Sequence, residues 1–202
     1  MGYDPERHHR KSNRLKGYDY SQSGMYYITI CTRDRENLLS KIEINGGVGL
    51  APTLNNAAKS VLTRIGEIVD RNWTEIPDHF PNIVLDEYVI MPNHFHGILI
   101  VKSGDRENAV PERAPASDAP PLSLGSIIGS FKSRCVVENL KHIKENGLDE
   151  TGKIWQRNYH DQIIRNEDDL KRFRKYIRDN PKNWLNDENN PEKIRNNHET
   201  DS

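Results

Sequence analysis

The sequence predicts an α+β fold, a mainly antiparallel sheet of ferredoxin-like character sandwiched by helices. Three observations carry that expectation. Residues 83–90 and 94–101 are apolar runs of strand length on either side of a Met91-Pro92-Asn93 turn. The second run is apolar on both faces, with Ile98 and Ile100 on one and Phe95, Leu99 and Val101 on the other, so its sheet needs helices on both sides. Apolar residues also recur at helical spacing over 56–73, 124–144 and 166–180, which orders the elements as strand, helix, strand, strand, helix, strand, helix.

Taken in order, residues 1–24 are a basic arm carrying Arg10, Lys11, Arg14 and Lys16, which reads equally as a solvated tail or as a phosphate contact. Met25 to Thr32, rich in aromatic and β-branched residues, is the first strand. Gly46, Gly47 and Gly49 mark the turn of a weaker hairpin spanning Ile42 to Leu50. Ala58, Val61, Leu62, Ile65, Ile68, Val69 and Trp73 form one apolar stripe, which predicts a helix from Asn56 to Trp73. After the two central strands, residues 103–122 hold Pro111, Pro115, Pro120 and Pro121 among small and charged residues and read as a mobile insertion. A second helix runs from Leu124 to Lys144, and a last strand with a polar interruption from Ile154 to Ile164. Asn166 caps a third helix whose first turn, Glu167, Asp168 and Asp169, has the sign that suits the helix dipole. Pro181 is expected to stop that helix at Asn180. The domain thus spans residues 25–184, and 185–202 form a polar tail expected to be largely disordered.

Composition narrows the function classes. A chain of 202 residues forms one domain with a real core. A net charge of −1 argues against a bulk nucleic-acid coat but not against a local basic patch. No apolar run approaches the roughly 20 residues of a membrane span, and the N-terminal residues have no apolar signal core. Cys31 and Cys135 form no motif and read as reduced core residues, which fits a cytoplasmic protein.

Two groups of residues carry chemistry. His94 and His96 alternate with Phe95 at the start of a strand, so both imidazoles point to one face, roughly 6.6–6.8 Å apart along it. Two imidazoles in an apolar strand are costly unless hydrogen-bonded or ligated, which favours a shared metal ion. On the third helix, Leu170, Phe173 and Ile177 face inward, and Tyr176 and Asn180 stack on one flank of that stripe. Arg172, Arg174, Lys175 and Arg178 make the rest of the helix cationic. A tyrosine hydroxyl is a poor nucleophile at neutral pH, and a metal that polarises a phosphate oxygen offsets this from the other side. Two histidines plus the side-chain carbonyl of Asn180 would supply three ligands and leave positions open for substrate.

Pro92-Asn93-His94-Phe95-His96-Gly97 resembles the His-hydrophobic-His motif of the HUH endonucleases. Tyr176-Ile177-Arg178-Asp179-Asn180-Pro181, followed by Trp184, is similar to their single-tyrosine branch, the REP-associated tyrosine transposases and their insertion-sequence relatives. Arg14 to Ser21 and Trp155 to Asp161 also resemble that family, so the likeness runs from Arg10 to Trp184. It implies a metal-dependent single-stranded DNA endonuclease and strand transferase acting on hairpins such as REP-like repeats. By the same resemblance His94 and His96 hold a divalent ion and Tyr176 forms a 5′-phosphotyrosine link. Asn180 stands where relatives commonly supply Gln, a longer ligand. The family usually uses Mg²⁺, but Mn²⁺ suits imidazole ligands at least as well. The basic arm and Arg172, Arg174, Lys175 and Arg178 would grip the DNA, as a monomer or a homodimer.

Tyr159-His160-Asp161 could place a second tyrosine or a base near the metal, but strand alternation splits these side chains between faces, which favours a structural or DNA-contacting role. Tyr26, Tyr27 and Tyr88 read as core, and His79, His142 and His198 receive no role. Three other readings stand against the transposase. A replication initiator or relaxase shares the chemistry, but the chain is short and shows no helicase or primase region. A hairpin-binding module that does not cut leaves the His pair and the tyrosine without a job. A structural zinc site lacks a completing cysteine cluster.

Overall fold

The computed structural model describes residues 18–44, 58–103 and 123–191. Arg10, Lys11, Arg14 and Lys16, the turn of the weaker hairpin and all but the first residue of the 103–122 insertion lie outside them. Four strands form the main sheet: β1 (Gly24–Cys31), β4 (Ile83–Ile90), β5 (His94–Val101) and β6 (His160–Ile164), in the order β4-β5-β1-β6 with every neighbouring pair antiparallel. A separate ribbon pairs β2 (Ser40–Ile44) with β3 (Ala58–Leu62). The strand order and the helical crossovers β1→β4 and β5→β6 are those of a ferredoxin-like α+β sandwich, as expected.

One face of the sheet meets α1 (Arg64–Thr74) and α3 (Leu124–Asn146) across the larger core, where Tyr26, Ile28, Phe95 and Leu99 pack against Trp73, Ile127 and Phe131. The other face meets α4 (Glu167–Asn183), whose Leu170, Phe173 and Ile177 close on Tyr27, Ile98 and Ile164. Each face of β5 is therefore covered, as its two-sided apolar sequence requires. Gly97 permits one of these contacts, since a Cβ there would stand 2.6 Å from the Trp73 ring. A short helix, α2 (Ile76–His79), joins α1 to β4. No helix among the described residues is long and apolar enough to cross a membrane.

Three boundaries differ from the sequence expectation. Residues 58–62 are a strand rather than the first turns of a helix; they alternate half-buried and exposed side chains and pair with 40–44. The helix begins at Arg64, because the Thr63 side chain accepts the Gly66 N–H and caps it. The last strand is shorter than Ile154 to Ile164; only His160 to Ile164 join the sheet, and Trp155 makes an isolated bridge to Thr32. Helix α4 runs through Pro181 to Asn183, where a 3-10 turn (Trp184–Asn186) takes over. Pro181 falls in the last turn, where one backbone bond is lost, and burial of Ile177, Asn180 and Pro181 offsets it.

Residues 187–190 fold back on the helix end and the hairpin turn. Asn190 is buried and donates to the Trp184 carbonyl, while the Asn189 carbonyl accepts from Asn93. This stretch, expected to belong to a largely disordered tail, instead meets the helix end through the Asn190 side chain and the hairpin turn through the Asn189 backbone.

Candidate metal and tyrosine site

The β4–β5 hairpin turn is held by two of its carbonyls. Pro92 O accepts from Leu39 N, and Asn93 O accepts from both the backbone and the hydroxyl of Thr32. His94 and His96 leave this turn on the α4 face of β5, both buried, with ring centroids 4.6 Å apart. The shared face read from the sequence holds.

The outer contacts of each ring decide what it presents inward. The Asn93 amide nitrogen donates to Arg35 O at 3.0 Å and Asn189 O at 2.7 Å. That orientation turns Asn93 Oδ1 towards His94 Nδ1, 2.9 Å away. An amide oxygen only accepts, so Nδ1 carries the proton and the lone pair of His94 lies on Nε2. His96 Nδ1 meets two hydroxyls instead, Tyr27 at 2.7 Å and Thr29 at 2.9 Å. Burial, the largest influence, pulls His94 down to about pH 4; Asp187 and Asn180 oppose it and Arg35 adds to it. Burial also holds His96 well below its ordinary value, helped by its neighbour His94. Both rings are neutral near pH 7, the state in which imidazole ligates a metal.

Helix α4 delivers the other half. Asn180 is buried beneath it, and its amide lies close enough to His94 to favour that ring's protonated form. Three atoms here are buried without a hydrogen-bond partner: His94 Nε2, His96 Nε2 and Asn180 Oδ1. Each such group costs about 1–3 kcal/mol if left unsatisfied, so three together call for a common partner. Two imidazole nitrogens and an amide oxygen suit a divalent cation of the Mn²⁺ or Mg²⁺ class, and these residues fit one. Among the described residues, no group of three or more His, Cys, Asp or Glu side chains is placed to hold a metal, so the amide is the third donor at hand.

One turn before Asn180, Tyr176 is 47% exposed. Its ring meets His96 edge-on at 5.3 Å and Tyr27 edge-on at 6.2 Å. A partly exposed phenol thus stands directly beside the buried histidine pair. Tyr159 packs against the larger core on the far side of the sheet, whereas His160 is paired with Thr29 and shares the site's face.

The cations of α4 are each engaged by a carboxylate. Arg172 pairs with Asp169 at 2.9 Å and lies over the Phe173 ring; Lys175 pairs with Asp179; Arg178 reaches Glu87 at 3.4 Å. Arg174 makes a two-pronged contact with Asp86 at 2.9 and 2.5 Å, which holds the Asp86 carboxyl below its usual range. A β-bulge between Leu85 and Tyr88 turns Asp86 and Glu87 towards α4. Arg174, expected among the DNA contacts, therefore ties α4 to the sheet edge. Arg172, Lys175 and Arg178 keep most of their side chains in solvent.

Four residues of the site escaped the sequence reading: Asn93, Tyr27, Thr29 and Asp187, whose carboxylate lies 4.0 Å from His94 Nε2. Tyr27 and Thr29 had a signal, since they are the polar members of an alternating strand whose other positions, Tyr26, Ile28 and Ile30, are core.

A ferredoxin-like sheet with a paired-histidine hairpin on one face, closed by a tyrosine-bearing helix, defines the class of protein. The chain belongs to one family with an uncharacterized protein of Haemophilus influenzae (strain ATCC 51907 / DSM 11121 / KW20 / Rd). The two are 34% identical over 187 residues, 92% of this chain and 96% of that protein. The sequence matches no family model. Among solved structures, a REP-associated tyrosine transposase bound to a REP hairpin overlaps 83% of this chain and 72% of its own, at 18% identity and a TM-score of 0.48. A candidate transposase of Deinococcus radiodurans R1 overlaps 81% of this chain and 94% of its own, at 15% identity and a TM-score of 0.36.

Proposed function

We propose that the chain is a metal-dependent single-stranded DNA endonuclease and strand transferase, an HUH-type transposase with one catalytic tyrosine. The observation that carries this reading is the set of three unpartnered buried atoms, His94 Nε2, His96 Nε2 and Asn180 Oδ1, next to the exposed phenol of Tyr176. A structural role for the pair would leave those atoms hydrogen-bonded within the fold. A binding module would have no use for them.

His94, His96 and Asn180 would hold the ion, Mn²⁺ or Mg²⁺. Bound there, it would supply positive charge to a phosphate oxygen and so favour attack at phosphorus. Tyr176 Oη attacks the phosphorus of a backbone phosphodiester and loses its proton to water. The bond from phosphorus to the 3′-oxygen breaks, and that oxygen takes up a proton to become a free 3′-hydroxyl. Tyr176 keeps the 5′-phosphate as an ester, so a second 3′-hydroxyl can reverse the step and join a new strand. Arg172, Lys175, Arg178 and the basic arm hold the backbone; the hairpin target follows from the motif resemblance.

The test is incubation of the protein with single-stranded hairpin DNA and Mn²⁺ or Mg²⁺, followed by a denaturing gel. A protein–DNA adduct that survives denaturation and is absent with chelator supports the reading. Hairpin binding with no adduct under either metal would leave a binding module.

A further inference from the structure

We propose that the hydroxyls of Tyr27 and Thr29 jointly position His96 as a metal ligand and set the affinity of the site, an inference that rests on the metal reading above. The geometry comes from strand register. Thr29 lies directly opposite His96 across the β1–β5 ladder, and Tyr27 is two residues along on the same face. Their oxygens stand 2.9 and 2.7 Å from the same ring nitrogen, Nδ1. Ligation through Nε2 places the imidazole proton on Nδ1, where either oxygen accepts it.

This arrangement differs from that of His94. The Asn93 amide presents only an oxygen to His94 Nδ1, and that single contact selects the tautomer. A hydroxyl donates as readily as it accepts, so neither Tyr27 nor Thr29 selects a tautomer alone. Two oxygens around one N–H do fix the plane of the ring.

Tyr27 also touches both halves of the site. Its ring stacks on Phe173 of α4 at 4.4 Å and 18°, lies nearly parallel to His96 at 5.4 Å, and supports the edge of Tyr176. Tyr27→Phe removes the oxygen and keeps this stacking, so the hydroxyl's role is separable from the ring's.

The experiment measures Mn²⁺ binding to the full chain without DNA, by calorimetry or by the electron paramagnetic resonance of free Mn²⁺. The proteins compared are wild type, Tyr27→Phe, Thr29→Val, the double variant and His94→Ala, with melting in chelator and hairpin affinity recorded for each. Each single variant should bind a few-fold more weakly, because the other oxygen remains. The double variant should lose about 10–100-fold, the range for removing outer partners of a metal-bound imidazole. Hairpin affinity should stay at the wild-type value, and adding Thr29→Ser rather than Thr29→Val to Tyr27→Phe should restore the single-variant affinity. A folded double variant that binds Mn²⁺ as wild type does, while His94→Ala does not, overturns this proposal and leaves the metal reading standing. Equal binding by wild type and His94→Ala overturns both. If the double variant fails to fold, Tyr27→Phe alone decides, and unchanged Mn²⁺ affinity there counts against the proposal.

Discussion

Tyr176 meets His96 edge-on at a ring-centroid distance of 5.3 Å, although one stands on the last helix and the other on a central strand. The contact puts a partly exposed phenol beside a buried pair of neutral imidazoles, and the chemistry of the protein is expected to divide between them. Tyr176→Phe should bind hairpin DNA as wild type does and form no covalent adduct. Tyr176 is about half exposed, so the stability change should stay within about 0.5 kcal/mol. Tyr159→Phe should still form the adduct, because Tyr159 packs on the opposite face of the sheet. Mass spectrometry of the nuclease-trimmed adduct should find the nucleotide on the peptide carrying Tyr176. An adduct on Tyr159 would end the single-tyrosine mechanism.

A ligand that binds only the folded state raises stability by mass action, about 2.7 kcal/mol at a hundredfold excess over its Kd. Mn²⁺ should therefore raise the melting temperature of the wild-type chain. His94→Ala and His96→Ala should lose that increment together with cleavage, while hairpin binding persists. Cleavage at the wild-type rate in either variant would refute the assignment of the pair.

Acid should destabilise the metal-free protein before its carboxylates titrate. His94 is held down to about 4 and His96 well below its ordinary value when folded, whereas unfolded histidines titrate near 6.5. Between those values the unfolded chain binds more protons, so stability is full above about pH 6.5 and falls as pH drops towards 4. The slope is at most about 1.4 kcal/mol per pH unit for each imidazole. Urea denaturation in chelator at pH 7 and pH 5 measures it, and His94→Gln should flatten the profile. A wild-type profile with no slope over that interval would contradict the burial argument.

The cations of α4 should separate into two kinds. Arg172→Ala should weaken hairpin binding and reduce its salt slope by about one, with little change in melting. Arg174→Ala should chiefly lower the melting temperature, because it releases Asp86 at the edge of the sheet. Salt titrations of binding, set beside thermal melts, distinguish the two. The reverse pattern would place Arg174 on the DNA.

Gly97→Ala should destabilise by about 1–3 kcal/mol, since the new methyl would sit 2.6 Å from Trp73 and 2.9 Å from Phe95. Metal binding by the folded fraction should be unaffected, as Gly97 faces the larger core and the histidines face away from it. Chemical denaturation reads the first effect and Mn²⁺ titration the second.

Local pattern was enough to read the His pair, the inward stripe of α4 and the apolar β4–β5 hairpin, because strand alternation and helical spacing act over a few residues. The sandwich followed from the two-sided apolar face of β5, which cannot be left to water. The start of α1 was misread because Ala58, Val61 and Leu62 satisfy a helical stripe and a half-buried strand alike. Pairing with β2 decided between them. The cap at Thr63 marked the boundary, but a capping threonine is a weaker signal than a seven-residue stripe.

What the chain could not disclose from its order alone is everything set by contacts between distant segments. That His94 carries its lone pair on Nε2 depends on an Asn93 amide turned by the carbonyls of Arg35 and Asn189. That His96 is held by Tyr27 and Thr29 depends on the register of β1 against β5. That Asp187 belongs to the site, rather than to a solvated tail, depends on where α4 ends over the hairpin turn. Residue types and short spacings carry the kind of chemistry a chain can host, because they act locally. Tautomer, ligand orientation and charge pairing arise only when the folded backbone brings those distant groups within hydrogen-bonding distance.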